Sequence, residues 1–146
     1  MVTRFFAYVN TSSTQEGRFP GYRDRPKKFL YDYLKTANAA SKDNPALIDE
    51  MRREFETMLA FVERTFPHGF QKSGANHAVP RVRFEAISVG SALALRENAS
   101  LEVRPDEIER RMRDTGFDRV VVSDGANVRA KLEGRIDLVK NILVGS

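Results

Sequence analysis

The chain has 146 residues, a length that fits one domain with a substantial hydrophobic core. It contains no cysteine, which excludes disulfides and thiolate metal sites and fits a reducing compartment. The formal net charge is +4 at pH 7, and such a balance favours a polyanionic partner such as nucleic acid when the cations cluster.

Neither a leader peptide nor a membrane span is predicted. The N-terminal residues lack the long apolar run and small-residue cleavage site of a signal peptide. The uncharged run at 86–95 is half as long as a membrane-spanning helix. We therefore expect a cytoplasmic protein that does not insert into a membrane.

The first predicted helix covers residues 2–10 and places Phe5, Phe6 and Val9 on one side. It begins without a capping residue or a preceding loop, as the end of a longer helix would. We expect this aromatic face to be exposed, and exposed aromatic patches commonly bind a partner. Phe5, Phe6 and Val9 are therefore the candidate partner interface.

A polar loop at 11–25 is predicted next, with Phe19 and Tyr22 directed into the core. A second helix should then begin near 24–26 and end near 40. Asn44 is predicted to cap a third helix that extends to 66, with Pro45 at its first position. The third helix has apolar residues at every third or fourth position: Leu47, Ile48, Met51, Phe55, Met58, Leu59, Val62 and Phe66.

The segment at 82–95 is predicted to be the buried centre of the fold, because it carries no charge from Ala86 onward and a helix that is apolar on all sides belongs in the interior. Ala86, Gly90 and Ala94 form a ridge of small residues along which a neighbouring helix can approach closely. The charges before the run (Arg81, Arg83 and Glu85) and after it (Arg96 and Glu97) are expected to mark where this helix leaves the core.

The C-terminal third should contain two more helices. The first covers 105–116 and ends at a glycine. The segment 117–129 is ambiguous, because 120–122 favours a strand, but we prefer a last helix that is capped by Ser123 or Asp124 and ends near 144. Its predicted buried stripe is Val128, Leu132, Ile136, Val139 and Leu143, with Gly145 beyond its end.

Together these segments predict an all-α fold: a single-domain bundle, 1–146, of five to six helices around a buried central helix at about 80–96. No internal repeat or second domain is indicated.

The sequence contains none of the motifs that carry common chemistries, such as a phosphate-binding glycine loop, a nucleophile elbow or zinc-ligand spacing. The two histidines, His68 and His77, share a loop without nearby acidic ligands. The Asp124–Asn127 segment resembles the start of a calcium loop but lacks the closing glutamate, so turn formation explains it. We therefore predict no catalytic residue, no cofactor and no metal.

Several basic residues are candidate nucleic-acid contacts, although a solvated surface is the commoner explanation for such charges. Because these cations are dispersed along the chain, any DNA binding should be weak, non-specific and salt-dependent. The candidates are Arg23, Arg25, Lys27, Lys28, Arg81, Arg83, Arg129, Lys131 and Arg135.

Four blocks of the sequence resemble the C-terminal helical half of GmrSD-type proteins, a prokaryotic family of unknown-function domains linked to restriction of modified DNA. The blocks are Arg4-Phe5-Phe6-Ala7, Gly21-Tyr22 followed by Lys28-Phe29-Leu30-x-x-Tyr33, Arg83-Phe84-Glu85-Ala86, and Asp124-Gly125-Ala126-Asn127-Val128-x-x-Lys131-Leu132-x-Gly134-Arg135-Ile136. In that family the preceding half resembles a ParB-like, nucleotide-hydrolysing nuclease fold with an Asp-Gly-Gln-Gln-Arg signature. The signature is absent here, as is the family's His-containing nuclease domain.

Three interpretations follow. The resemblance implies a non-catalytic helical module that supports or regulates a nucleotide-dependent restriction or phage-defence protein, either as a homodimer or docked on a separately encoded catalytic chain. The basic residues allow a stand-alone, non-specific nucleic-acid-binding module. A third interpretation, an enzyme with an unrecognised site, would require a cleft with convergent polar residues.

Overall fold

The structure, a computed structural model, describes residues 1–72, 74, 77–122 and 125–145. These residues form seven helices and no β-sheet, which confirms the all-α bundle. One short helix, α6, exceeds the predicted number. The helices are α1 (Val2–Thr11), α2 (Pro26–Asp43), α3 (Ala46–Thr65), α4 (Arg81–Glu97), α5 (Pro105–Asp114), α6 (Phe117–Val120) and α7 (Arg129–Val144).

Helix α4 is the buried centre of the bundle, as predicted, and packs most extensively on α7, then on α3 and α1. The small-residue ridge explains the close approach of α7. A Cβ atom on Gly90 would lie 2.7 Å from the Cβ of Val139 and 2.9 Å from the carbonyl oxygen of Ile136. The prediction that Arg83 and Glu85 mark the exit from the core is wrong, because both residues are buried.

Helix α1 packs inside the bundle against α4 and α2. Phe5 and Val9 are fully buried within their own chain, and Phe6 is partly buried beside Phe55, with ring centroids 5.8 Å apart. The expectation of an exposed aromatic face is therefore corrected. The period of the helix was predicted correctly, but the face that it defines packs on neighbouring helices and offers a partner little surface.

The loop between α1 and α2 is anchored by aromatic residues, as the sequence predicted. Phe19 and Tyr22 are buried, and both lie against Tyr8 of α1, with ring centroids 5.7 and 6.2 Å from it. Phe29 at the start of α2 stacks on the other side of this cluster, 5.9 Å from Tyr8. These rings fix the loop to the core.

Helices α2 and α3 form a hairpin that is buried over only part of its length. Phe29 is the buried residue of α2, and the buried residues of α3 lie in its last two turns. Ile48 and Leu59 are exposed, so the predicted apolar stripe is longer than the surface that the bundle covers. Asn44 is not the cap of α3; it ends α2, where its N–H donates to the carbonyl of Ala40 at 2.9 Å.

The C-terminal part follows the preferred helical prediction, with α6 in place of the alternative strand at 120–122. Helix α7 starts later than predicted, at Arg129, and Val128 is exposed rather than part of its buried stripe. The predicted caps, Ser123 and Asp124, lie outside the described residues. The rest of the stripe is buried as predicted, and Gly145 ends the helix with a left-handed φ of +77°.

Candidate nucleic-acid interface

A buried carboxylate, Glu85 of α4, lies beneath one end of the bundle and is 1% exposed. Its Oε2 accepts from Nη2 of Arg135 at 2.5 Å, and its Oε1 accepts from Nη1 of Arg4 at 2.9 Å. Nε of Arg81 lies 3.8 Å from the same Oε1. Three guanidinium groups therefore surround one carboxylate, and this part of the interior has an excess of positive charge.

Arg135 is a structural member of this cluster rather than a surface cation. It is 2% exposed, and its Nη1 donates to the carbonyl of Ala126 at 2.9 Å. Its Nε has no hydrogen-bond partner within the described part of the chain. The prediction that Arg135 contacts nucleic acid is therefore corrected, because no phosphate can reach a guanidinium enclosed in this way.

Two tyrosines border the cluster and remain neutral. Burial raises the pKa of Tyr8 far above its ordinary value, and the charge of Glu85 raises it further. Burial also raises the pKa of Tyr22. The hydroxyl of Tyr8 accepts from Nη1 of Arg4 at 3.1 Å. Because neither hydroxyl ionises near neutral pH, Glu85 provides the compensating negative charge for the arginines around it.

The loop after α1 is attached to the start of α7 by polar contacts. Arg129 donates from its backbone N–H to Oδ1 of Asp24 at 2.7 Å and from its side chain to the carbonyl of Arg18. Arg18 in turn pairs with Asp137 of α7 at 2.8 Å. Asp24 thereby takes the place of an N-cap for α7, because its carboxylate accepts an N–H that the helix itself cannot satisfy.

The loop backbone is left-handed at three residues other than glycine: Phe19, Arg23 and Asp24 have φ values of 48°, 42° and 54°. Such conformations cost roughly 1–3 kcal/mol each and persist only where the surroundings enforce them. Burial of the Phe19 ring and the bond from Asp24 to α7 provide that enforcement here. The exposed cations of the loop are therefore held on a defined backbone.

These contacts join segments that carry exposed cations: the loop before α2 to the start of α7, and the start of α4 to α7 through Glu85. We call these cations the basic surface. Arg129 already pairs with Glu133 at 2.8 Å, and Lys28 already pairs with Asp32 at 2.6 Å. Most of its members are exposed, and Arg81 and Arg129 are partly exposed. The basic surface consists of Arg23, Arg25, Lys27, Lys28, Arg81, Arg129 and Lys131.

Arg83 does not belong to the basic surface. It is 6% exposed and lies two residues from both Arg81 and Glu85, on a different side of α4. Its Nη1 donates to Oδ1 of Asp118 at 2.6 Å. Its predicted role as a nucleic-acid contact is therefore also corrected, because so little of its side chain is exposed that a polymer cannot reach it together with the basic surface.

In the ranges that the structure describes, no group of three or more acidic or histidine side chains could hold a metal ion, and no helix could cross a membrane. His68 lies 3.6 Å from Glu109.

In comparisons with known proteins, the chain matches no family model, no curated protein and no solved structure. The resemblance to GmrSD-type proteins therefore stays a prediction.

Proposed function

We propose that the chain is a non-catalytic helical module whose basic surface contacts the phosphates of nucleic acid. The observation that carries this proposal is the joining of two distant segments, the loop that precedes α2 and the start of α7, through Asp24 and Arg129. This joining supports the interpretation as a nucleic-acid-binding module, because phosphate contact requires clustered cations.

The composition of the basic surface favours non-specific contact. Arginine and lysine neutralise phosphates irrespective of sequence, whereas sequence is distinguished by contacts to base edges in the grooves. The cations of the basic surface come from one loop and the starts of three helices, and no single helix carries more than two of them, unlike a helix that contacts bases along a major groove. We therefore expect binding to duplexes of any sequence.

The resemblance to GmrSD-type proteins extends the proposal to a biological setting. In that setting the module would hold DNA for a nucleotide-dependent nuclease half, and the chain itself would perform no chemistry. The lack of a catalytic motif in the sequence supports this division of roles.

The proposal is tested by fluorescence anisotropy with a short labelled duplex at low salt. The variant Arg25→Glu/Lys27→Glu reverses two charges of the basic surface and should weaken binding by roughly tenfold or more. The matched control, Arg52→Glu/Arg53→Glu, makes the same change in net charge at exposed positions of α3. Its affinity should stay close to that of the wild type. Equal losses in the two variants would show that net charge alone drives binding and would contradict the proposal.

A further inference from the structure

A second feature lies on another side of α4, away from Glu85. It is a cleft of about 840 Å³ between the turn that follows α3 and the helices α5 and α6, with Arg83 of α4 among its lining residues. Clefts that bind small molecules have volumes of roughly 300–1,000 Å³. The size of this cleft therefore suits a small ligand rather than a polymer.

Arg83 has unused hydrogen-bonding capacity at this cleft. Within the described ranges Asp118 is its only acceptor, and Nε has no partner. The guanidinium lies 4.9 Å from the centroid of the Phe117 ring, which holds it in place. A guanidinium carries five N–H donors, and buried donors are normally paired. Nε itself is enclosed, so an anionic acceptor in the cleft would reach Arg83 through its terminal Nη atoms.

The rim of the cleft adds further cations. Arg113 and Arg119 line it, and neither side chain makes an ion pair or hydrogen bond with another described residue. Asp118 is 58% exposed at its side chain, so it can turn towards solvent when a ligand approaches Arg83. An acceptor that replaced or joined Asp118 would form a charge-assisted hydrogen bond, which is roughly twice as strong as a neutral one.

The other lining residues restrict the class of ligand. Glu109 and Asp114 also border the cleft and would repel a highly charged polyanion such as nucleic acid. Met112, Phe66 and Val120 supply apolar surface. The lining therefore combines an anchoring cation with an apolar wall, which suits a compact anion that has a hydrophobic part.

We propose that this cleft binds a small organic anion, whose carboxylate or phosphate accepts from Arg83 and whose apolar part lies along Met112. The proposal is separate from the contact with nucleic acid, because Arg83 lies outside the basic surface. Charge reversal at Arg25 and Lys27 would leave the cleft unchanged.

The probes are phenyl phosphate and benzoate, with benzyl alcohol as the uncharged control, added to the full ¹⁵N-labelled chain. NMR should show saturable shifts of the Arg83 Nε–H and of backbone amides in α5 and α6 with the anions and not with the alcohol. The anion that binds with the higher affinity identifies the preferred head group, phosphate or carboxylate. Arg83→Met keeps an apolar chain over Phe117 and should abolish the shifts. Arg110→Gln, an exposed position of α5 outside the cleft, should leave them unchanged.

A second variant keeps the test decisive if Arg83→Met fails to fold. Asp118→Asn removes the carboxylate that competes for Arg83 at an exposed position, so anion binding should tighten by about three- to tenfold. Weaker or unchanged binding in this variant would overturn the proposal. Shifts that the alcohol reproduces, shifts that survive in Arg83→Met, and the lack of any saturable shift would do the same.

Discussion

Helix α7 carries two arginines with different roles, Arg129 near its start and Arg135 in its middle. Arg135 is enclosed and pairs with Glu85, whereas the side chain of Arg129 is 42% exposed and holds the basic loop on the bundle. The same residue type thus supports the interior in one position and the surface in the other. Net charge alone cannot show which cations can reach a phosphate, because this depends on how deeply each side chain is buried.

The largest loss of folding free energy should come from removing the buried carboxylate of Glu85. Glu85→Ala leaves Arg135 charged and without its ion-pair partner in the interior. The loss of one partner of a buried ion pair costs about 3–5 kcal/mol of folding free energy. Urea unfolding followed by circular dichroism measures this loss.

The matched control removes a partly exposed carboxylate from an ion pair within α7. Glu133→Ala breaks the pair with Arg129, and such solvent-accessible i,i+4 pairs contribute less than about 1 kcal/mol. The double variant Glu85→Leu/Arg135→Met removes both buried charges and should recover most of the stability that Glu85→Ala loses. Similar losses for Glu85→Ala and Glu133→Ala would contradict the assignment of Glu85 and Arg135 as a buried structural ion pair.

A smaller loss of stability should come from disturbing the close contact between α4 and α7. Gly90→Ala places a methyl group against Val139 and the backbone of Ile136, so α4 and α7 must move apart. Such overpacking costs about 1–3 kcal/mol. Gly134→Ala is the control on α7, since nothing lies within 4 Å of its added Cβ. It should raise stability by up to about 1 kcal/mol through helix propensity. Thermal unfolding of the two variants tests this, and equal shifts in Tm would contradict the packing account.

The helices and their central contact were predictable from local patterns. The uncharged run at 86–95 and the glycine within it were sufficient to place α4 in the interior, because a helix that is apolar on all sides is buried. The start of α7 was not predictable in this way. The carboxylate that accepts its first N–H belongs to Asp24, which is 105 positions away in sequence.

The candidate site was predictable only in part. The run of cations at 23–28 identified one half of the basic surface, but burial of Arg83 and Arg135 depends on acidic partners 35 and 50 positions away. One local signal was overlooked. Glu85 is a lone acid next to an apolar run, and Arg81 precedes it by one helical turn. A buried acid needs a cationic partner, so this pattern indicates an ion pair rather than a helix end.

The central claim, that the basic surface binds phosphates, is tested most directly by the salt dependence of DNA affinity. The wild-type chain should be titrated with two duplexes of equal length and unrelated sequence over a series of salt concentrations. We expect the logarithm of the association constant to fall linearly with the logarithm of the salt concentration, with a slope of roughly −4 for both duplexes. A salt-independent affinity, or a marked preference for one sequence, would contradict the claim.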